Sequence, residues 1–580
     1  MSIRKNKKFY TLILIIVVVC VTVGKHVLAE NTGYSYKDIL RLERVVNKIS
    51  EFYVEEIDSK DLVQSAIRGL HDILDPHTAY FTEKDYNNLK VSTEGAFGGL
   101  GITIAIRERV LTIISPLQGT PAFRMGLQAG DKIVEIDGVS TEGITVDKAV
   151  EKLRGKPGTS VTIKIVREGV VEPLAFTVVR DIIKIKSVPF AGMLNDSIGY
   201  IKITQFSKRT SKDLNNKVQM LKKQGLTSLI LDLRNNPGGL LNQAISVSDF
   251  FLDKEQMVVY TKGRTSSQNK DYLSKNNPIW EKDHRLIILI NAGSASASEI
   301  VAGAVQDHDR GLIMGKTSFG KGSVQTILPL GSKKYALKLT TAYYYTPSGR
   351  CINKRKNAVK IKLQHEEKID KGDSSKTVDS LEIFYTDAGR KVYAAGGITP
   401  DVSVEGNMYN RYVREMERKT MFFKFIIKNR KSIEDKGTVN LSYKIDNELR
   451  NKFKEYLYKD TSFVKFKSAS HIMLDQFSST LEKEREALGD TGNTAINSEI
   501  NLLKDNLEEI LAKKTKAQYE INSKYIDYAL KRELIQAVKG DSARTVHEVS
   551  MDLQIKEAIK YLTEPQLYTK ALAANDKEEE

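Results

Sequence analysis

Ser228-Leu-Ile-Leu-Asp-Leu-Arg-Asn-Asn-Pro-Gly-Gly-Leu-Leu-Asn-Gln-Ala-Ile-Ser-Val-Ser-Asp-Phe-Phe251 sets the fold class. Ser228–Leu233 is an apolar strand, Asn235–Gly239 a glycine-rich turn, and Leu240–Phe251 a helix. The same alternation continues on both sides. Ile198–Ile203 and Leu286–Ile290 read as strands, Ser211–Gln224 and Ala297–Gln306 as helices. Strand and helix in turn imply an α/β core. Ala336–Tyr345 adds a strand with a tyrosine-rich end, and residues 353–380 are a polar, lysine-rich, exposed insertion.

Outward from this core the pattern changes. Residues 95–180 carry short β-rich runs (Gly101–Ala105, Leu111–Ile114, Lys132–Ile136, Val161–Arg167, Leu174–Val179) broken by glycine turns, with one helix over Thr145–Leu153. Before them, Ile39, Leu42, Val45, Val46, Ile49 and Phe52 recur at helical spacing. A second helix runs from Asp61 to Leu74, ended by Asp75-Pro76. After Asp401 the chain turns helical, with patterns at 408–431, 445–458, 496–515, 519–538 and 544–562. The boundaries are 1–29 for a targeting segment, 30–92 for a helical segment, 93–182 for the β-rich domain, 183–405 for the core and 406–580 for a helical extension.

The targeting segment has Arg4, Lys5, Lys7 and Lys8, then apolar Phe9–Val23, then Val27-Leu28-Ala29. It reads as a secretory signal peptide or a retained inner-membrane anchor, and either exports the rest to the bacterial envelope. Two cysteines, Cys20 and Cys351, leave no internal disulfide in the exported part and exclude a cysteine zinc site. The formal charge of +16 comes from 89 basic and 73 acidic residues that are interspersed. No aromatic-interleaved basic stripe is present, so nucleic acid is not an expected partner. At 41% hydrophobic and 28% charged, the chain is globular, and 580 residues require several domains.

Three stretches carry chemistry. In Asn291-Ala-Gly-Ser-Ala-Ser-Ala-Ser-Glu299 a serine stands between a strand and a helix, where free N–H groups and partial positive charge suit an oxyanion. Helix capping by Ser294 or Ser298 explains the run as well. In Thr317-Ser-Phe-Gly-Lys-Gly-Ser-Val-Gln325, glycines flank Lys321, and a buried lysine can act as a base; a solvated lysine in a turn is the alternative. Asp232-Leu-Arg-Asn-Asn-Pro-Gly-Gly239 can donate backbone N–H groups to an anion, but lacks the ending of a phosphate loop. A serine–histidine pair with His308 fails on distance, since twelve residues of helix put it about 15 Å or more from Ser296.

These motifs, with Asp75-Pro-His-Thr-Ala-Tyr80, Tyr345-Thr-Pro-Ser-Gly-Arg350 and Gly396-Gly-Ile-Thr-Pro-Asp401, together resemble the carboxyl-terminal processing peptidases, or tail-specific proteases, over residues 35–405. The resemblance implies a ClpP/crotonase-like α/β (α+β) core with an inserted PDZ domain, and a serine endopeptidase needing no cofactor or metal. It implies Ser296 as nucleophile, Lys321 as general base and Gln325 as support for the lysine. Backbone N–H groups of Gly239 (or Gly238) and Ala297 would form the oxyanion hole. Asp307 matches an acid important in some relatives, although a helix-end pairing role explains it equally. Gly98-Gly99-Leu100-Gly101-Ile102 resembles a carboxylate-binding loop for protein substrates with free apolar C-termini. Arg154 matches a residue that couples PDZ docking to the active site. A non-catalytic peptide-binding scaffold is the alternative, and it would show a degenerate Ser296 or Lys321. The helical extension is expected to pack on the core or to form a dimer interface.

Overall fold

The computed structural model describes residues 36–331, 335–354, 382–394, 396–407, 409–435, 437–460, 463, 466–488 and 494–573. The targeting segment, and all but the first residues of the 353–380 insertion, lie outside them. Two compact units divide the chain. One holds the described residues up to Tyr86 with Gln325–Thr341; the other holds the rest.

The larger unit is built on a six-stranded sheet. Its strands are β1 (Phe190–Met193), β2 (Ile198–Lys202), β3 (Ser228–Asp232), β4 (Arg285–Ile290), β5 (Leu312–Gly315) and β6 (Val402–Ser403), in that spatial order. β1 is antiparallel to β2, and every other pairing is parallel. Parallel sheets must be covered on both faces. Alternate residues divide the work. Leu229, Leu231, Ile288, Ile290 and Ile313 face helices α1 (Thr210–Lys222), α2 (Leu241–Ser248) and α3 (Ala297–Asp307) in one core. Tyr200, Ile230, Ile287, Leu289, Leu312 and Met314 form a second core on the opposite face.

That second face is covered from far along the chain. After β6 come α4 (Arg411–Arg418), α5 (Met421–Glu434), α6 (Asn447–Lys459), α7 (Ala469–Leu488), α8 (Thr494–Ile521), α9 (Ser523–Lys539), α10 (Asp541–Met551), α11 (Leu553–Thr563) and α12 (Pro565–Leu572). Val549, Ile555, Ala558, Leu562 and Tyr568, from the last three, complete the second core. The Tyr568 hydroxyl accepts from the Leu286 N–H at 3.1 Å and lies 2.9 Å from the Leu286 carbonyl. The other helices bury an aromatic core of their own around Tyr412, Phe422, Phe425, Phe453 and Tyr519. The 469–488 helix has no counterpart in the sequence expectation, because its apolar residues Met473 and Phe477 remain exposed and mark no buried face.

The β-rich domain forms a separate core of Leu100, Leu111, Ile113, Ile133, Ile136, Ile163 and Val178, with the helix Val146–Leu153 capped by Thr145. It touches α5. An ideal Cβ on Gly130 would stand 2.4 Å from Ile427 Cγ2, and Lys424 Nζ lies 2.8 Å from Glu108 Oε1.

In the smaller unit, Asp75 organises the Asp-Pro-His-Thr turn. Its Oδ1 accepts the His77 N–H and its Oδ2 the Thr78 hydroxyl, and Thr78 Oγ1 in turn accepts the Thr340 N–H. This fixes Ala79–Phe81 antiparallel to Ala336–Lys338. The expected second helix ends earlier than Leu74: Ser59–Gly69 is α-helical and Leu70–Ile73 is a 3₁₀ turn.

Candidate active site

β3 and β4 are parallel neighbours, so the turns that leave them emerge side by side, as Asp232↔Leu289 shows. Hydrogen bonds zip the two turns together. The Asn235 N–H donates to Asn291 Oδ1 at 2.9 Å, and Asn291 Nδ2 donates to Asn235 Oδ1 at 3.0 Å. Ser294 Oγ donates to the Leu233 carbonyl, and the Asn236 carbonyl accepts both the Ala295 N–H and the Ser298 hydroxyl. Ser294 and Ser298 are therefore buried ties between turns. The residue at the helix cap is Ser296.

Ser296 has φ +55° and ψ −113°. A non-glycine residue held there costs about 1–3 kcal/mol and persists where the surroundings enforce it, often at a functional site. Gly238 is packed directly against it. An ideal Cβ on Gly238 would lie 2.8 Å from Ser296 Cβ and 2.9 Å from the Ala297 nitrogen. The Gly238 N–H is committed to Asn236 Oδ1 at 2.9 Å. Among the described residues no acceptor takes the N–H of Gly239 or of Ala297. Of the three candidate donors, Gly239 and Ala297 thus keep their N–H groups uncommitted among the described residues, and Gly238 does not.

The Lys321 loop is brought to the same place by one buried carboxylate. Glu299 Oε2 accepts the Ser296 N–H at 2.7 Å and the Lys321 N–H at 2.9 Å. Its Oε1 accepts the Ser318 hydroxyl at 2.5 Å and the Gly320 N–H at 2.6 Å. The buried Tyr344 hydroxyl lies 3.2 Å from the Ser296 carbonyl and is hydrogen-bonded to the Lys321 carbonyl. Ser296 and Lys321 are each only half-buried within these buried turns. Gly322 flanks the lysine because a Cβ there would meet the Asn353 nitrogen at 2.8 Å.

Neither Glu299 nor Tyr344 has a role in the sequence expectation. For Glu299 a signal existed: Ser296-Ala-Ser-Glu299 fits the capping-box pattern, in which the glutamate reaches back to the first N–H of the helix. Burial pushes the Glu299 carboxyl above its ordinary range, opposed by its four donors. A carboxyl raised by folding contributes stability below its ordinary value of 4.5, and that contribution is lost as pH rises through the folded-state value. Glu299→Gln is expected to flatten this slope in melting temperature measured against pH. It should also destabilise by about 2–4 kcal/mol in denaturant titration, since an amide NH₂ would face two N–H donors.

The other predicted residues are placed as follows. Gln325 belongs to the smaller unit, with Nε2 3.4 Å from Thr340 Oγ1. Asp307 ends α3, about 16 Å along the axis from Ser296. It is fully buried, 2.6 Å from the guanidinium of the equally buried Arg350, and accepts the Ser348 N–H. His308 bonds Asp387 and the Met257 carbonyl instead of any serine. In the β-rich domain, Gly98 and Gly99 end a strand paired with Asp181–Lys184. A Cβ on Gly98 would meet the Gly155 carbonyl at 2.0 Å. The Leu100 carbonyl is taken by the Ala122 N–H, and the Gly101 carbonyl by the Leu117 N–H and Thr120 hydroxyl. Among the described residues nothing accepts the N–H of Leu100 or Gly101, and Ile102 opens the next strand. Arg154, just past the helix, lies 4.4 Å over the Phe97 ring and 3.4 Å from Asn88 Oδ1; burial lowers its affinity for the proton.

Residues 197–363 match the model of peptidase family S41, and residues 89–166 match that of the PDZ domain. A carboxy-terminal-processing protease of Bartonella bacilliformis is 42% identical over 336 residues, 57% of this chain and 76% of that one. The chain belongs to the carboxy-terminal processing proteases of family S41. The carboxy-terminal processing protease CtpA of Bacillus subtilis is 32% identical over 393 residues, 65% of this chain and 82% of that one. A carboxyl-terminal-processing protease of Synechocystis is 37% identical over 315 residues, 53% of this chain and 72% of that one. Membership in this family makes the protein a serine-type protease, and identifies the β-rich domain as its PDZ domain.

Proposed function

We propose that this protease cuts polypeptides near free apolar C-termini through a Ser296–Lys321 dyad. The observation that carries the reading is the shared Glu299 carboxylate, which ties the Ser296 and Lys321 backbones to one point. Neutral Lys321 takes the Ser296 proton, and Oγ attacks the scissile carbonyl. The N–H groups of Gly239 and Ala297 receive the oxyanion, beside the positive end of α3. The lysine returns the proton to the leaving amine, and a water activated by Lys321 hydrolyses the acyl-enzyme.

The substrate tail adds as a strand beside the PDZ sheet, with its carboxylate on the N–H groups of the Gly98–Ile102 loop. Arg154, half-buried against Phe97 at the end of the PDZ helix, carries the docking signal towards the core. The enzyme works outside the cytoplasm, delivered by the segment 1–29; among the described residues no helix is long and apolar enough to cross a membrane. The exposed apolar stripe Ile39, Leu42, Val45 and Ile49 supports a homodimer, which sedimentation velocity tests.

An unstructured polypeptide ending in an apolar residue tests the reading. Amidating its terminal carboxyl removes the charged acceptor, and kcat/KM is expected to fall about tenfold or more. Gly101→Val should have the same effect on the free-acid substrate only, because Gly101 has φ +79° and a Cβ would stand 2.3 Å from Thr120 Cβ. Equal cleavage of acid and amide would sink carboxylate recognition.

A further inference from the structure

We infer that Asp552 and Gln554, at the start of α11, are positioning residues for the peptidase reaction and hold the Gly238–Gly239 turn in place through Arg234. The inference rests on the proposed oxyanion donors, Gly239 and Ala297.

Arg234 stands where β3 passes into that turn. Its Nε and Nη2 grip the two oxygens of buried Asp232, at 2.9 and 2.6 Å, and Asp232 also accepts the Tyr200 hydroxyl at 2.7 Å. This fork leaves the Nη1 arm. It points out of the turn to Asp552 Oδ2 at 2.8 Å and Gln554 Oε1 at 2.7 Å. Both acceptors are locked at their other ends. Asp552 Oδ1 caps α11 by accepting the Ile555 N–H, and Gln554 Nε2 donates to the Val404 carbonyl beside β6. Gln554 is 4% exposed and the Asp552 side chain 27%, so one acceptor is buried, the other part-buried, and both are preorganised to receive one guanidinium edge.

The mechanical consequence follows the chain. Two residues beyond Arg234 is Asn236. Its side chain receives the Gly238 N–H and its carbonyl receives Ala295 N–H and Ser298 Oγ. A tilt of the Arg234 backbone therefore moves the glycine turn and the serine turn together. The Asp232 fork and the Arg234 N–H, 2.9 Å from Asp232 Oδ1, hold the residue from the sheet side; the Nη1 arm anchors its opposite edge to α11. A shift well under an ångström at an oxyanion donor is enough to slow turnover.

Turnover of an apolar-tailed polypeptide by the full chain is the test. Asp552→Asn keeps an oxygen for the α11 cap but offers an NH₂ to Arg234; Gln554→Ala removes the second acceptor. Each is expected to lower kcat about tenfold with KM within about twofold. Tyr568→Phe is the structural control: it breaks the α12 bonds to Leu286 without touching Arg234, and should lower melting temperature at unchanged kcat. Three results overturn the inference: kcat held within about twofold in both variants, kcat lost only in step with melting temperature as in the control, or KM raised at constant kcat. Ser296→Ala in the same assay separates the two readings. Cleavage near the parent rate there removes the serine assignment itself. An inert Ser296→Ala beside fully active Asp552→Asn and Gln554→Ala removes only the positioning role.

Discussion

Ser296→Ala and Lys321→Ala are each expected to lower kcat by roughly 10⁴- to 10⁶-fold, with the double variant no worse than either single one. In the proposed mechanism the nucleophile and its base act in one step, so losing either loses the whole. Folding should survive both changes. Ser296 is tied into the site by its N–H to Glu299 and its carbonyl to Tyr344, and Lys321 by its own N–H and carbonyl to the same two groups. Melting temperatures within a few degrees of the parent would make the activity loss chemical. Gly238→Ala supplies the contrast. Both dyad side chains remain, but the new methyl presses on Ser296 Cβ and the Ala297 nitrogen from 2.8 and 2.9 Å, at φ +96°. A displaced nucleophile and donor should cost about 10²- to 10³-fold in kcat. Normal cleavage by Ser296→Ala and Lys321→Ala would remove the dyad and leave the family assignment standing.

The α/β core was legible because strand-to-helix alternation is local, and so was the β-rich domain with its glycine turns. Ser296 and Lys321 stood out as candidates only as members of a set of motifs. Taken singly, a serine in Ser-Ala-Ser-Ala-Ser caps helices and a lysine between glycines is solvated. What joins them is a carboxylate at Glu299 that collects donors from two loops, and no spacing rule announces a partner twenty-two residues away. That the Gly238 N–H is already bonded was equally hidden, because it depends on where the Asn236 side chain turns. Asp307 shows the reverse. Its pairing with Arg350 is the helix-end role that residue type alone suggested.

Truncation after residue 405 is expected to leave no active peptidase. Read from sequence, 406–580 was expected to pack on the core or to form a dimer interface, with nothing to say which. For the last helices the sheet decides. Ile198, Tyr200, Ile230, Ile287, Leu289, Leu312 and Met314 are each at most 1% exposed, and their cover is Val549, Ile555, Ala558, Leu562 and Tyr568. Returning one such side chain to water costs about 1.5–3 kcal/mol. The whole face is therefore worth as much as or more than the about 5–15 kcal/mol that keeps a domain folded. The truncated chain should be insoluble or lack a cooperative melting transition, and should not cleave. The outer part of the α7–α8 hairpin is different. Among the described residues none from 477 to 505 enters a buried core, and Phe477, Leu502 and Leu503 are exposed. Replacing 477–505 by a short glycine linker should leave solubility, melting and turnover close to those of the parent. A 1–405 fragment that melts cooperatively and cleaves would show that α10–α12 are dispensable and that the second face of the sheet tolerates water.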